Sequence, residues 1–469
     1  MNSIQMDRAV GAVLASAAGD ALGSQYEFGP ALGDDVEIRF GRGHFGHDAG
    51  EWTDDTSMAV PILRALADGR SLDDPATLAW ILAQWQAWRP TARDVGIQIS
   101  AVLGSLSPTP TEHEALAASL ALHESRGRSG GNGSLMRTGP VALGYLDRDP
   151  ADLAAAATGI AKLTHWEDDN ADAVTLWCLV IRHAILTGEL VVRAQLAWIP
   201  AERRARWAAL LDEAQDAHPR DFTQGNGWVV RAFQAAYAAV SGATSLVDAI
   251  ERAIRGGNDT DTVAAIAGAL AGAVYGGTAI PLGWQRILHG WPGLRANDLV
   301  RLAVRAIRGG EPDREGWPLA DRATVYPGDW LFPHPHDDGV WIGSIAALDR
   351  LPADIDAVVS LCRVGTAQVP PTAESVQVWL IDQPARNANL DFVLTEAADV
   401  IAALRAEGKR VFVHCAEARS RTSAVAALYA ARHRSVPLAQ AWSDIRATLP
   451  EFAPQQFLRD AAKRVVAST

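Results

Sequence analysis

Apolar residues recur every three or four positions over Ala9–Ala21, Ser57–Ala67, Ala115–Glu124, Ala171–Leu186, Val229–Val240 and Thr262–Tyr275. That spacing puts the apolar positions of each segment on one stripe and predicts a helix in each. Alternating strand patterns are scarce here and alanine is abundant, which lets helices approach closely. Residues 1–310 therefore read as an all-α domain. Between Gly309 and Gly339 the texture turns to Pro, Gly and Asp, which predicts a linker over residues 311–324 or a long connecting loop. Beyond it, short β-rich runs at Val340–Gly343, Asp356–Cys362, Val376–Ile381 and Arg410–Cys415 alternate with helical stretches at Asp391–Arg405, Thr422–Ala431 and Leu438–Thr448. This alternation predicts a smaller α/β domain over residues 325–469, with a mostly parallel sheet.

Composition narrows the picture. The 469 residues are 48% hydrophobic and 21% charged, which excludes disorder as the dominant state. A net charge of −13 at pH 7 excludes a nucleic-acid groove driven by bulk charge. No apolar run reaches the ~18 residues of a membrane span, so no membrane partner is expected. The first twenty residues read as an amphipathic helix and lack the basic start of a signal peptide. Cys178, Cys362 and Cys415 do not form a disulfide framework, and a cytoplasmic location is expected.

Two carboxylate clusters enter predicted helices: Thr53-Asp54-Asp55-Thr56, and Asp259-Thr260-Asp261-Thr262. Each alone reads equally well as a helix cap. Together they offer four carboxylates and hydroxyl donors, all hard oxygen ligands that suit Mg²⁺ or Mn²⁺ better than Zn²⁺. Four such carboxylates repel one another unless cations neutralise them. A third feature, Gly130-Gly131-Asn132-Gly133-Ser134-Leu135-Met136-Arg137, allows backbone N–H groups to approach an anion. A fourth, Gly19-Asp20-Ala21-Leu22-Gly23-Ser24-Gln25-Tyr26-Glu27, ends a helix and leaves Glu27 near a loop.

These segments, with Thr164-His165, resemble in order the ADP-ribosylglycohydrolase family over about residues 5–308. The resemblance implies a compact all-α fold with two divalent cations, Mg²⁺ or Mn²⁺, in a cleft. It implies Thr53, Asp54, Asp55, Asp259, Asp261 and Thr262 as metal ligands. It implies Asn132, Gly133, Ser134 and Met136 as the loop holding a diphosphate and ribose, and His165 on the substrate side. Glu27 matches a flap carboxylate, and Glu27 or Asp55 is the expected proton acceptor. The implied reaction is hydrolytic release of ADP-ribose from a protein or small-molecule acceptor, through an N- or O-glycosidic bond. A structural role without catalysis is the alternative.

The second domain carries Val411-Phe412-Val413-His414-Cys415-Ala416-Glu417-Ala418-Arg419-Ser420-Arg421-Thr422. A strand, a tight loop and a helix start bring a cysteine and an arginine around one loop. Loop amides from Ala416 to Ser420 and the Arg421 guanidinium can bind a phosphate, and Cys415 can act as its nucleophile. Thr422 is placed to hydrogen-bond the sulfur. The run resembles compact dual-specificity-type cysteine phosphatases over roughly residues 325–469. The resemblance implies Asp382 as general acid, with Asp391 as fallback, a phosphorylated protein or nucleotide as substrate, and no cofactor. Ala418 stands where that family usually has glycine; a positive φ there costs about 1–2 kcal/mol. A non-catalytic phosphate-binding module is the alternative reading.

Among remaining features, Trp80, Trp85 and Trp88 read as packing, and Trp52 as a candidate stacking face for an adenine. His334 and His336 read as solvated linker, Cys178 as core and Cys362 as inert.

Overall fold

The computed structural model describes residues 1–468. They divide into one unit of Met1–Ile280 and Ile287–Glu311, and a second of Pro281–Arg286 and the chain from Pro312 onward.

The first unit contains α1 (Ser3–Gly23), α2 (Asp54–Ala67), α3 (Glu112–Arg126), α4 (Asp168–Thr187), α5 (Val229–Ser241), α6 (Leu246–Arg255) and α7 (Thr260–Tyr275), with shorter helices between them. Apart from isolated bridges, its strand pairing is a short antiparallel match of His289–Gly290 with Leu294–Arg295. Helices α1 and α7 form the centre and are buried on nearly every side. Small residues repeat every fourth position on α1 (Gly11, Ala15, Gly19, Gly23) and on α7 (Ala264, Gly268, Gly272). A Cβ at Gly11, Gly19, Gly268 or Gly272 would strike a backbone carbonyl of the opposite helix. The two backbones therefore touch along a glycine seam, and the seam ends with Gly23 against the Cα of Asp261.

The second unit is a five-stranded sheet with helices. Its strands are β1 (Leu331–His334), β2 (Asp337–Ser344), β3 (Ala357–Ser360), β4 (Glu374–Gln377) and β5 (Val411–Cys415). The order is β1-β2-β5-β3-β4, antiparallel only between β1 and β2. Its longer helices are α8 (Leu390–Ala406), α9 (Arg421–His433), α10 (Leu438–Thr448) and α11 (Gln456–Ala467). Along β5, Val411, Val413 and Cys415 join one apolar core while Phe412 joins another. This alternation is the period of two that a strand buried on both faces requires.

Three expectations change. Residues 312–324 are packed structure rather than linker. Trp317 is buried, Arg363 lies 5.0 Å over its ring and pairs with Asp313, and Ala323 N–H donates to Gln368 Oε1 at 2.9 Å. The Pro- and Gly-rich texture marked turns correctly, but buried aromatic surface holds those turns down. Leu331–His334 is an edge strand, and His334 is buried with Nε2 donating to the Ala426 carbonyl at 3.1 Å. The run Val376–Ile381 keeps ladder pairing to Gln377 and one further bond, from Val378 N–H to the Ser360 carbonyl at 2.9 Å. Among the described residues, no helix is long and apolar enough to cross a membrane.

Candidate active sites

The end of α1, the start of α2 and the start of α7 converge. Asp20, in the last turn of α1, accepts from Thr53 N–H and Thr53 Oγ1 at 2.8 Å each through Oδ1, and from Thr56 N–H at 2.9 Å through Oδ2. It thereby caps α2, whose own first residues make no side-chain cap bond. Thr53 Oγ1 also lies 3.1 Å from Asp55 Oδ2. Carboxylate oxygens of Asp20, Asp55 and Asp261 lie within 4.8 Å of one another, as do those of Glu27, Asp94 and Asp261. Asp259 Oδ2 accepts from Asn132 Nδ2 at 2.7 Å, and Asp54 Oδ2 from Gly96 N–H at 3.3 Å. Glu27 sits on a pinned loop: Phe28 N–H donates to the Asn258 carbonyl at 2.7 Å, and Asn258 N–H to the Gly29 carbonyl at 2.8 Å.

Burial dominates the electrostatics, and neighbouring charge adds to it. Burial, then the charges of Glu27, Asp55, Asp259 and Asp20, push the Asp261 carboxyl well above the usual range. Burial also drives Asp54 and Asp55 up strongly, and raises Asp20 and Asp259. Glu27 rises to about 8 through burial and then the Asp94 and Asp259 charges, and Asp94 to about 6 through burial and then Asp259. Asp55 Oδ1 is buried without a hydrogen-bond partner. An all-oxygen donor set with an unsatisfied carboxylate oxygen and mutual repulsion fits hard divalent cations. Asp20 and Asp94 belong to this cluster and were not singled out from sequence. Asp20 carries one signal, an acid inside an Ala/Gly stripe on a helix; Asp94, in a loop, carries none.

The glycine-rich loop lies beside the acids. His165 packs under it: a Cβ at Gly131 would stand 3.2 Å from His165 Nε2, and one at Gly133 3.3 Å from Cε1. Arg137 Nη2 donates to Thr164 Oγ1 at 2.7 Å, and Thr164 Oγ1 lies 2.8 Å from His165 Nδ1. The threonine proton is thus directed to Nδ1, which leaves the ring N–H on Nε2. Burial, and then Arg137, hold His165 well below its ordinary range, so it stays neutral. Ser134 is fully buried and its Oγ accepts from Asn170 Nδ2 at 2.7 Å; Met136 is buried too. Both lie beneath the loop, and Asn132 is the loop side chain tied to the acids. Arg137 is buried with its guanidinium 4.4 Å over the Trp85 ring, which makes it a structural anchor.

Trp52 offers no stacking face, since it is 1% exposed and donates to the Trp291 carbonyl. The exposed ring beside the glycine loop is Trp228. It bridges to Gly131 and lines a cavity of about 620 Å³ with Gly130, Arg126 and Arg128.

In the second unit Cys415 ends β5 under a cavity of about 660 Å³ lined also by Asp382, Ala416, Glu417, Arg419, Ser420 and Arg421. Among the described residues, the N–H groups of Glu417 to Ser420 make no hydrogen bond. Arg421 Nη1 donates to the carbonyls of Leu361 and Leu380 at 2.8 and 3.0 Å, and its Nε is buried and unpartnered. A run of unpartnered donors of this kind can cradle an anion. Asp382 Oδ1 accepts from Ser420 Oγ at 2.7 Å. Ala418 has φ +59°, the left-handed conformation glycine favours. Thr422 Oγ1 donates to the Gly343 carbonyl at 3.3 Å, so its hydroxyl is committed there and not to the sulfur. His414 joins Ser360 Oγ at 2.8 Å through Nε2, and burial lowers it to about 4. Burial, and then the charge of Cys415, push the Cys362 thiol up to about 12. Asp391 pairs with Arg464 and is not among the cavity-lining residues.

Residues 1–315 match the family model for ADP-ribosylglycohydrolase, and the chain belongs to that family. It is 33% identical over 294 residues to the ADP-ribosylarginine hydrolase Tri1 of Pseudomonas putida, covering 60% of this chain and 73% of that protein. A solved ADP-ribosylglycohydrolase-related protein complex matches with a TM-score of 0.50 at 26% identity, covering 66% of this chain and 99% of its own. Human DUSP28 matches at 22% identity over 31% of this chain and 98% of that one, with a TM-score of 0.28. The chemistry of the second unit therefore rests on its own residues.

Proposed function

We propose that the first unit is a divalent-cation-dependent hydrolase that releases ADP-ribose from a modified arginine side chain, and that the second hydrolyses phosphate monoesters through Cys415. The observation carrying the first reading is the meeting of Asp20, Asp55 and Asp261 within 4.8 Å from separate segments. Similarity to a protein named for ADP-ribosylarginine supports the linkage.

Thr53, Asp54, Asp55, Asp259, Asp261 and Thr262 would hold Mg²⁺ or Mn²⁺. When bound, such ions neutralise the carboxylates and polarise water and hydroxyl oxygens. The remaining work belongs to the chain. The glycine loop N–H groups receive the diphosphate beside Asn132, whose own side-chain N–H groups go to the Asn226 carbonyl and Asp259 Oδ2, and the neutral His165 presents its Nε2–H to the loop side. Trp228 offers its face to the adenine. Glu27 accepts the proton of the attacking water as the glycosidic bond breaks through an oxocarbenium-like state. Asp94, beside it, keeps its affinity for that proton high. The test is ADP-ribose release from an ADP-ribosylated arginine peptide. Wild type is expected to be active with Mg²⁺ or Mn²⁺ and inactive in EDTA, and Asp261→Asn inactive throughout. Undiminished release by Asp261→Asn in EDTA overturns the reading.

In the second unit the four free loop N–H groups and the unpartnered Arg421 Nε support phosphate binding. Cys415 Sγ would attack phosphorus while Asp382 protonates the leaving oxygen. Turnover of p-nitrophenyl phosphate, lost in Cys415→Ser, is the expected result. Equal rates for the two proteins remove Cys415 from the reaction.

A further inference from the structure

The cysteine cavity, at about 660 Å³, is far larger than one phosphoryl group needs. It matches pockets that enclose small organic ligands, roughly 300–1,000 Å³. The loop N–H groups and Arg421 account for a single phosphate. Two more guanidiniums, those of Arg419 and Arg459, line the same cavity. Arg459, on the first turn of α11, stands 5.3 Å from the Trp442 ring centroid and 5.5 Å from that of Phe452. Among the described residues, neither arginine makes an ion pair. Among the described residues neither of the cavity's own carboxylates pairs with them: Asp382 Oδ1 accepts from Ser420 Oγ, and Glu417 makes no ion pair.

The wall that carries Arg459 is tied to the cysteine loop. Ala453 N–H donates to the Arg419 carbonyl at 3.0 Å, and Gln455 N–H to Ser420 Oγ at 3.1 Å. An aromatic shelf and two hydrogen bonds thus fix a second cation at a set reach from Cys415. A guanidinium held on ring faces keeps its N–H edge free for a phosphate.

We propose that this cavity selects small-molecule phosphate esters bearing a second phosphate, with Arg459 binding the distal group. The proposal rests on the phosphatase reading of Cys415. The near phosphate is transferred: an S–P bond forms at Cys415 as the ester P–O bond breaks, and Asp382 gives its proton to the leaving oxygen. Water then cleaves the S–P bond, releasing inorganic phosphate and returning a proton to Asp382. The distal phosphate stays on the product alcohol.

The test compares a nucleoside 3′,5′-bisphosphate with the matching monophosphate, using the full chain. Wild type is expected to prefer the bisphosphate by roughly tenfold or more in kcat/KM, mostly through KM, as a charge-assisted hydrogen bond allows. Arg459→Met, which keeps an unbranched apolar stem on the rings, is expected to abolish the preference, with thermal melting used to check the fold. Equal kcat/KM for the two compounds, a preference surviving Arg459→Met, or better turnover of a doubly phosphorylated peptide each overturn the proposal. Lack of any p-nitrophenyl phosphate turnover by wild type instead overturns the phosphatase reading. The subsite is then read separately by bisphosphate binding to Cys415→Ser, weakened about tenfold by adding Arg459→Met; no weakening overturns it.

Discussion

Asp20 Oδ1 accepts both the backbone N–H and the hydroxyl of Thr53, each at 2.8 Å, although 32 residues separate them. One carboxylate thus caps α2 and joins the acidic cluster beside Asp55 and Asp261. The cluster is consequently built into the helix packing and is not an arrangement that cations must assemble from loose loops. Its charges are stored in the fold, and that has measurable consequences.

Asp261→Asn is expected to reverse the order of stability with conditions. In EDTA the variant should be more stable than wild type by on the order of 1 kcal/mol, because an amide carries none of the cost of protonating or burying a repelled carboxyl. With a divalent cation at about a hundredfold over its Kd, wild type should gain about 2.7 kcal/mol and the variant much less. Thermal melts of both proteins with and without Mn²⁺ check this; a variant less stable than wild type in EDTA contradicts it.

Metal-free stability should fall as pH rises from 5 to 8. Burial, then Asp94 and Asp259, lift Glu27 from 4.5 to about 8. Below 4.5 the carboxyl is protonated whether the chain is folded or not. Between 4.5 and 8 the unfolded chain sheds a proton that the folded chain keeps, so stability drains away through that window. The melting midpoint in EDTA should drop by roughly 2–4 °C per kcal/mol lost. Glu27→Gln should flatten the slope, since the group no longer titrates.

The glycine seam should be intolerant of side chains. Gly268→Val drives a branched side chain into the Ala15 carbonyl and should cost about 3 kcal/mol. Widening the seam also parts Asp20 from Asp261, so Mn²⁺ affinity measured by calorimetry should fall in whatever fraction remains folded. Gly159, with no atom within 4 Å of its added Cβ, is the control: Gly159→Ala should be neutral or mildly stabilising.

Ala418→Gly should stabilise the second unit. The φ of +59° costs an alanine about 1–2 kcal/mol, and glycine returns roughly 0.4–1 kcal/mol of that through the freer unfolded chain. A net gain of about 0.5–1 kcal/mol in denaturant melts is expected. A loss would show that the buried methyl group matters more than the backbone strain.

The alternation of apolar runs announced the helices of the first unit and the parallel core of the second, because burial of a face imposes its period on the sequence. A local grouping was equally legible where one loop supplies all the parts, as from Cys415 to Arg421, both of which line one cavity. Whatever depends on surroundings was not. Trp52 looked like a stacking face until its burial against Trp291 removed that surface. Residues 312–324 looked like a linker because turn residues dominate their composition, while the burial of Trp317 decides their place. The hydroxyl of Thr422 could point to sulfur or carbonyl, and only packing against Gly343 chooses.

The amino-acid order by itself determined which segments carry acids, glycines and the loop from Cys415 to Arg421, since residue type and spacing are local properties. The tertiary structure alone decided that Asp20 and Asp94 join the other carboxylates and that Arg459 overlooks Cys415. Those are distances between remote parts of the chain, set by backbone contact along the α1–α7 seam and by aromatic packing beneath α11.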